Sequence, residues 1–358
     1  MRCVLAVILT IMLVLRAGPV APCTQAVTVP QTLRADFLKV IDRPRVPPAP
    51  SPAKLSIENG YGQELLSFAS ESDERVPLLI LREGERRGRQ PVVIVLHGTG
   101  GSKEGTRGRL EVLADRGFLA VSMDARHHGE RRIPIPGLRI PYLSAMLRAY
   151  RTGEGHPYLY DTVWDVMRLI DYLSARPDVD GSRIGVIGLS KGGTEAYLAA
   201  AADERITAVV PLIGVQSFGW SLRHSAAWEA RTWTLREAVE AAAADSGEAV
   251  NAAFVRKFYE RIAPGLVDRF DGPAMLPLIA PRPLLVVNGD SDPRSPLGGV
   301  REAAASAKRA YEAARATERF VLLLEVDAAH EVTSEADKAT LDWLVRWLSP
   351  PRIEDGAN

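Results

Sequence analysis

Six short apolar runs constrain the fold more than any other feature of this chain. They read PVVIVLHG from Pro91, GFLAVSMD ending at Asp124, RIGVIG from Arg183, ITAVVPLIG from Ile206, PLLVVNGD ending at Asp290 and FVLLLEVD ending at Asp327. A nearly continuous apolar run of this length suits a strand covered on both faces, as in a parallel sheet. Helix-prone segments separate them, around residues 107–116, over 161–174, and in the alanine-rich TEAYLAAAADE after Gly193. Strands alternating with helices imply right-handed crossovers, so the expected fold is α/β, with a doubly wound, mostly parallel sheet. Ahead of the series, ELLSFAS and VPLLILREG read as an antiparallel pair with residues 71–75 turning between them. The stretch between Asp124 and Asp161 is rich in Pro, Gly and Arg and reads as irregular.

The ends of the chain carry different signals. Arg2 precedes an apolar run from Cys3 to Leu15, the pattern of a secretory signal peptide and too short to span a bilayer comfortably. Cleavage after Ala26 gives a signal peptide of residues 1–26 and a secreted or periplasmic protein; Ala21 is an alternative site and an uncleaved membrane anchor the alternative outcome. Both cysteines, Cys3 and Cys23, precede residue 26, so the mature chain would hold no disulfide or thiolate metal site. Residues 27–60 include RPRVPPAPSP and read as a proline-rich linker or arm. The catalytic domain is expected over 61–350, with a tail at 351–358. Within it, residues 216–279 show no strand pattern and read as a helical cap inserted above the carboxyl edge of the sheet, where open sheets bind ligands. Phe218, Trp220, Trp228 and Trp233 in that insertion are candidates to line a pocket or to pack cap on body. Lys plus Arg equal Asp plus Glu at 44 each, with no basic stripe carrying interleaved aromatics, which argues against nucleic acid as a partner.

The third apolar run ends in Gly188-Leu189-Ser190-Lys191-Gly192, a G-x-S-x-G pattern between a strand and a helix-prone segment. In that context the tight turn holds a serine hydroxyl out above the sheet, and small residues at the glycine positions let strand and helix backbones approach. A serine hydroxyl is a weak nucleophile and needs a base and a group that orients the base. Of six histidines, His330 stands after the last strand in AAHEV, ahead of a closing helix. The acid is expected after the preceding strand, in NGDSDP, where Asp292 is favoured; Asp290 reads as a local turn acceptor, and Asp327 ends the strand that leads to the histidine. Ser190, Asp292 and His330 are thus the candidate catalytic residues.

Two backbone N–H groups would stabilise the oxyanion. Lys191 supplies one by position, and HGTGGSK supplies the other from Thr99, or alternatively Gly100. His97 reads as a structural residue closing this turn. In RHHGE, His127, His128 and Glu130 are too close in sequence to converge on one ion, so no metal and no cofactor is expected. The Lys191 side chain is expected to point away from the hydroxyl.

Ser190, then Asp292, then His330 is the chain order of the α/β-hydrolase fold. VIVLHGTGG, GVIGLSKGG, GDSDP and AAHEV fall at its usual sites, across roughly residues 76–348. The chain resembles in particular the dienelactone hydrolase and acetyl xylan esterase-like branch, and DARHHGER resembles the segment after that branch's fourth strand. The resemblance implies a serine hydrolase. Dienelactone hydrolases proper use a cysteine nucleophile where this chain has Ser190, so ester hydrolysis through an ordinary acyl-enzyme is expected, on a small-molecule ester such as an acylated carbohydrate. A prolyl oligopeptidase-type peptidase and a noncatalytic binding protein on the same fold are the alternatives.

Overall fold

The computed structural model describes residues 29–84, 88–134, 136–224 and 227–349. The signal peptide expected over 1–26 and the tail at 351–358 lie outside the described residues. Nine strands form one sheet: β1 Lys54–Glu58, β2 Tyr61–Ala69, β3 Arg75–Glu83, β4 Gln90–Leu96, β5 Leu119–Met123, β6 Val179–Leu189, β7 Ile206–Leu212, β8 Leu284–Gly289 and β9 Phe320–Glu325. Their spatial order is β1-β2-β3-β5-β4-β6-β7-β8-β9. β1, β2, β3 and β5 pair antiparallel in succession, and every pairing from β5 through β4 to β9 is parallel. This is a mostly parallel, doubly wound sheet.

Helices cover both faces. They are α1 Val29–Ile41, α2 Arg107–Ala114, α3 Pro141–Thr152, α4 Tyr160–Ser174, α5 Lys191–Ala202, α6 Phe218–Arg223, α7 Arg236–Ser246, α8 Ala252–Ile262, α9 Gly272–Met275, α10 Leu297–Ala313 and α11 Ser334–Leu348. Every residue of β4, β5 and β8 is buried, which explains why these strands read as unbroken apolar runs. Successive side chains go to opposite faces. Val92, Ile94, Leu96, Val186 and Val286 join the core under α4 and α5, while Val93, Val95, Ile187, Leu285 and Val287 join a second core with Leu113 of α2 and Leu344 and Leu348 of α11. No helix of the described residues is long and apolar enough to cross a membrane.

Three elements depart from the sequence reading. The segment expected to be a linker over 27–60 contains α1, with Leu33, Phe37 and Ile41 four residues apart along one side. Phe37 and Ile41 are fully buried, and the Phe37 ring meets Tyr160 at 5.2 Å and Phe270 at 5.1 Å. Arg34 adds hydrogen bonds from Nε to Ala201 O (2.8 Å) and from Nη2 to Leu278 O (3.0 Å). The prolines crowd only the second part of that segment; its first part has helical periodicity, with Pro30 tolerated in the first turn. β1 extends the sheet ahead of residue 61, but all five of its residues are exposed, so it lacks the apolar pattern that would have announced it. α3 crosses the stretch read as irregular. It opens on Pro141 and ends at Gly153 with φ 75°, the proline-in, glycine-out punctuation of a helix.

Candidate active site

The carboxyl ends of β6, β8 and β9 lie side by side because these strands run parallel with β7 between β6 and β8. Each ends in one polar side chain of the site. Ser190 follows β6 directly and precedes α5, with φ 55° and ψ −115°, a strained backbone for a residue with a side chain. The strain is fixed by close packing. A Cβ on Gly188 would lie 1.9 Å from Gly192 O, and one on Gly192 would lie 2.5 Å from Leu96 O, so only glycine lets β6, α5 and β4 come this close. Ser190 N donates to Leu212 O at 2.8 Å, tying the turn to the neighbouring strand.

His330, in the loop between β9 and α11, sets Nε2 2.8 Å from Ser190 Oγ and Nδ1 2.7 Å from Asp292 Oδ2. Asp292 is 3% exposed and its other oxygen accepts from Arg294 N at 2.7 Å. The carboxylate thereby orients the imidazole with Nδ1–H donating and Nε2 free to accept from the serine hydroxyl. The other acids stand apart from the imidazole. Asp290 Oδ1 accepts from Asp327 N at 2.9 Å and from Ser291 Oγ at 3.0 Å, closing the turn between the two strand ends.

Thr99 and Lys191 both line the cavity above Ser190, which has a volume of about 50 Å³. Gly100, the alternative to Thr99, has φ 82° and its carbonyl accepts from Arg132 Nη2 at 2.6 Å. Thr99 and Thr234 also border a larger cavity of about 440 Å³, lined further by His127, His128, Arg139 and Tyr142. The two cavities thus share Thr99 and Thr234 as walls. The Lys191 side chain turns inward, with Nζ 2.5 Å from Glu195 Oε1 and 5.8 Å from the centre of the Tyr142 ring.

His97 is buried; Nε2 accepts from Ala125 N at 3.1 Å and Nδ1 lies 2.8 Å from Gly98 O. Burial, followed by the charge of Lys191, pushes its pKa down to about 4, so it is a neutral brace between two loops. In the RHHGE segment His128 and Glu130 have separate partners. His128 Nδ1 lies 2.7 Å from Arg126 O, burial pushes its pKa down to about 2, and Glu130 pairs with Lys103. His127 lines the larger cavity with φ 63°, its pKa lowered by burial.

Between residues 216 and 279 the described chain contains helices and no strand, and it supplies Gln216, Ala230, Arg231, Trp233, Thr234 and Tyr259 to the Ser190 cavity. Of its four candidate aromatics only Trp233 lines that cavity. Phe218 is fully buried, Trp220 stacks on His224 at 3.9 Å, and Trp228 borders a separate pocket with Arg236 and Glu240. Asp271 ties this segment together: its carboxylate accepts from Phe218 N (2.9 Å), Gly219 N (2.9 Å), Gly272 N (2.7 Å) and Ser217 Oγ (2.8 Å). Burial pushes Asp271 up to about 6 even against these donors. Sequence reasoning missed Arg231, in a helical, charged stretch, and Arg294, in the loop after β8, since nothing in either marks a side chain on the cavity wall.

Comparison with known proteins bears on the fold and on the family. The family model for glucuronyl esterase of fungi matches residues 147–314, and that for acetyl xylan esterase (AXE1) matches residues 60–217. Among curated relatives, "Putative esterase YitV" of Bacillus subtilis (strain 168) is 28% identical over 155 residues, 43% of this chain; the match spans only 56% of that protein. "Putative hydrolase YtaP" of the same organism is 23% identical over 300 residues, 80% of this chain and 88% of its own. Among solved structures, acetyl xylan esterase 1 from Thermoanaerobacterium sp. JW/SL YS485 superposes with a TM-score of 0.62 at 17% identity, over 89% of this chain and 94% of that one. The fold is that of the α/β-hydrolases, and the family matches lie in their esterase branch, as the motifs implied.

Proposed function

We propose, from the premise that this chain is an α/β-hydrolase of the esterase branch, that it is a serine carboxylesterase acting on acylated carbohydrate or a similar small ester. One observation carries the reading: the continuous hydrogen-bonded series Ser190 Oγ, His330, Asp292 on a strained turn at the wall of a cavity. A binding protein has no use for a serine held in strain against an oriented imidazole.

In this mechanism His330 Nε2 takes the proton of Ser190 as Oγ forms a bond to the ester carbonyl carbon, and the carbonyl electrons move to oxygen. The backbone N–H groups of Lys191 and Thr99 hold that oxyanion, with the N-terminal end of α5 adding positive potential. Asp292 keeps the proton of His330 on Nδ1 and stabilises the imidazolium that forms. Collapse breaks the bond to the alcohol oxygen, which takes the proton from Nε2. Water then adds to the acyl-enzyme by the same route and releases the acid. The two cavities share Thr99 and Thr234 as walls, and in this reading each takes one side of the scissile bond. Secretion, with removal of residues 1–26, belongs to the same reading.

The test is Ser190→Ala together with a fluorophosphonate probe. The wild type is expected to hydrolyse p-nitrophenyl acetate and to be labelled at Ser190, and the variant to lose both with an unchanged circular dichroism spectrum. Retained hydrolysis in a folded Ser190→Ala variant refutes the assignment. Ester turnover against peptide turnover separates this reading from a peptidase.

A further inference from the structure

Six cationic side chains are buried among the described residues: Lys103, Arg126, Arg131, Arg168, Lys191 and Arg231. Five face a carboxylate. Lys103 pairs with Asp124 and Glu130, Arg126 and Arg131 share Asp165, Arg168 pairs with Asp171, and Lys191 with Glu195. Arg231, 4% exposed, has no ion pair among the described residues. Its guanidinium donates one hydrogen bond, from Nη2 to Arg294 O, its Nε is buried without a partner, and its charge lies 5.0 Å from the centre of the Phe218 ring. A ring face is a weak partner for a full charge. Arg282 shows how an arginine can do without a carboxylate, by donating to five carbonyls; Arg231 has one. An unpaired buried charge is strongly unfavourable and is held in place only where something repays it.

Arg231 lies on the wall of the Ser190 cavity. The lining also holds Arg294 and Lys191, and it contains no Asp or Glu. The backbone of Arg231 is fixed as well, its carbonyl accepting from Tyr259 Oη at 2.6 Å. The wall therefore carries the charges of Arg231 and Arg294 with no carboxylate in its lining, while the Lys191 charge is met by Glu195. A guanidinium presents donors in a planar fork that matches a carboxylate.

We propose that the part of the ester entering this cavity carries a carboxylate that pairs with Arg231, which makes Arg231 a specificity-determining residue. The inference rests on the esterase reading and adds the charge of the substrate to it. The cavity volume of about 50 Å³ confines the anionic part to a short piece, a few atoms from the scissile carbonyl.

Two matched ester pairs test this. Monomethyl succinate against methyl butyrate places the charge on the acyl side, and acetoxyacetate against propyl acetate places it on the alcohol side. The wild type is expected to favour the anionic member of at least one pair by tenfold or more in kcat/KM, largely through KM. Arg231→Gln should remove that preference while still hydrolysing the neutral ester, and Arg231→Lys should restore part of it. Should Arg231→Gln fail to fold, inhibition of the wild type decides: succinate is expected to inhibit at least tenfold more strongly than succinamide, less so as salt is added. Equal or better use of the neutral member in both pairs, with Ser190 still labelled by the fluorophosphonate, overturns the inference and leaves the esterase reading intact. Absence of both labelling and hydrolysis of every ester removes that reading, and the inference with it.

Discussion

Lys191 and Glu195, one turn apart in α5, hold each other in the interior directly behind the nucleophile turn, Nζ 2.5 Å from Oε1. Removing one charge of a buried pair leaves the other stranded, at about 3–5 kcal/mol, whereas replacing both by apolar groups is often neutral. Lys191→Met and Glu195→Leu should each lower stability to unfolding in urea by about that amount. The double variant should recover most of the loss, and equal losses in all three would show that the pair is not coupled.

Asp292→Asn is expected to keep the fold and to lower turnover of a good ester substrate by about 10⁴-fold, because the amide no longer dictates which ring nitrogen of His330 carries the proton. Ser190→Ala and His330→Ala should each cost on the order of a million-fold. Steady-state kinetics on p-nitrophenyl acetate measures all three.

Gly188→Ala would force a Cβ to within 1.9 Å of Gly192 O, a backbone atom that cannot move without shifting α5. The expected result is a loss of stability of at least about 1–3 kcal/mol, the usual cost of overpacking. Fluorophosphonate labelling at Ser190 should also slow at least tenfold. Thermal melts with labelling rates check both.

Acid should weaken the fold through histidines that never ionise within it. Burial holds His97 down to about 4 and His128 down to about 2, against about 6.5 in an unfolded chain. Between about pH 6.5 and 4 the unfolded chain therefore binds two more protons at these sites, and stability falls as pH falls. Asp271, pushed up to about 6, acts in the opposite sense between its unfolded value of 3.8 and 6, since its protonated form belongs to the fold. At these three sites alone the sum is about one proton, or about 1.4 kcal/mol lost per pH unit near pH 5; burial lowers His127 and His156 in the same sense and raises Glu195 in the opposite one. Unfolding free energies from pH 7 to pH 5 test the slope. Resonances of both rings that stay constant over that range test its origin.

The fold was legible where burial imposed a pattern. β4 and β8 are covered on both faces and appear in sequence as PVVIVL and LLVV, whereas β1, exposed throughout, carries no such mark. α1 was hidden by the prolines that follow it, although Leu33, Phe37 and Ile41 have helical spacing. The candidates Ser190, Asp292 and His330, which the structure brings within hydrogen-bond distance in series, could be singled out because each follows a strand at one sheet edge, which limits the choice to a few loop residues. Arg231 could not, because its role comes from the lack of a carboxylate across space, and chain order does not record that.

His330 sits beyond β9, the edge strand, and ahead of α11, the last helix to cover the sheet. During synthesis the nucleophile turn can therefore form long before its base exists. On the proposed reading, a chain that ends between β7 and residue 330 holds the nucleophile without the base that would activate it. On that reading, reactivity requires the stretch from β9 through α11, the last part of the described chain to be made, to be in place.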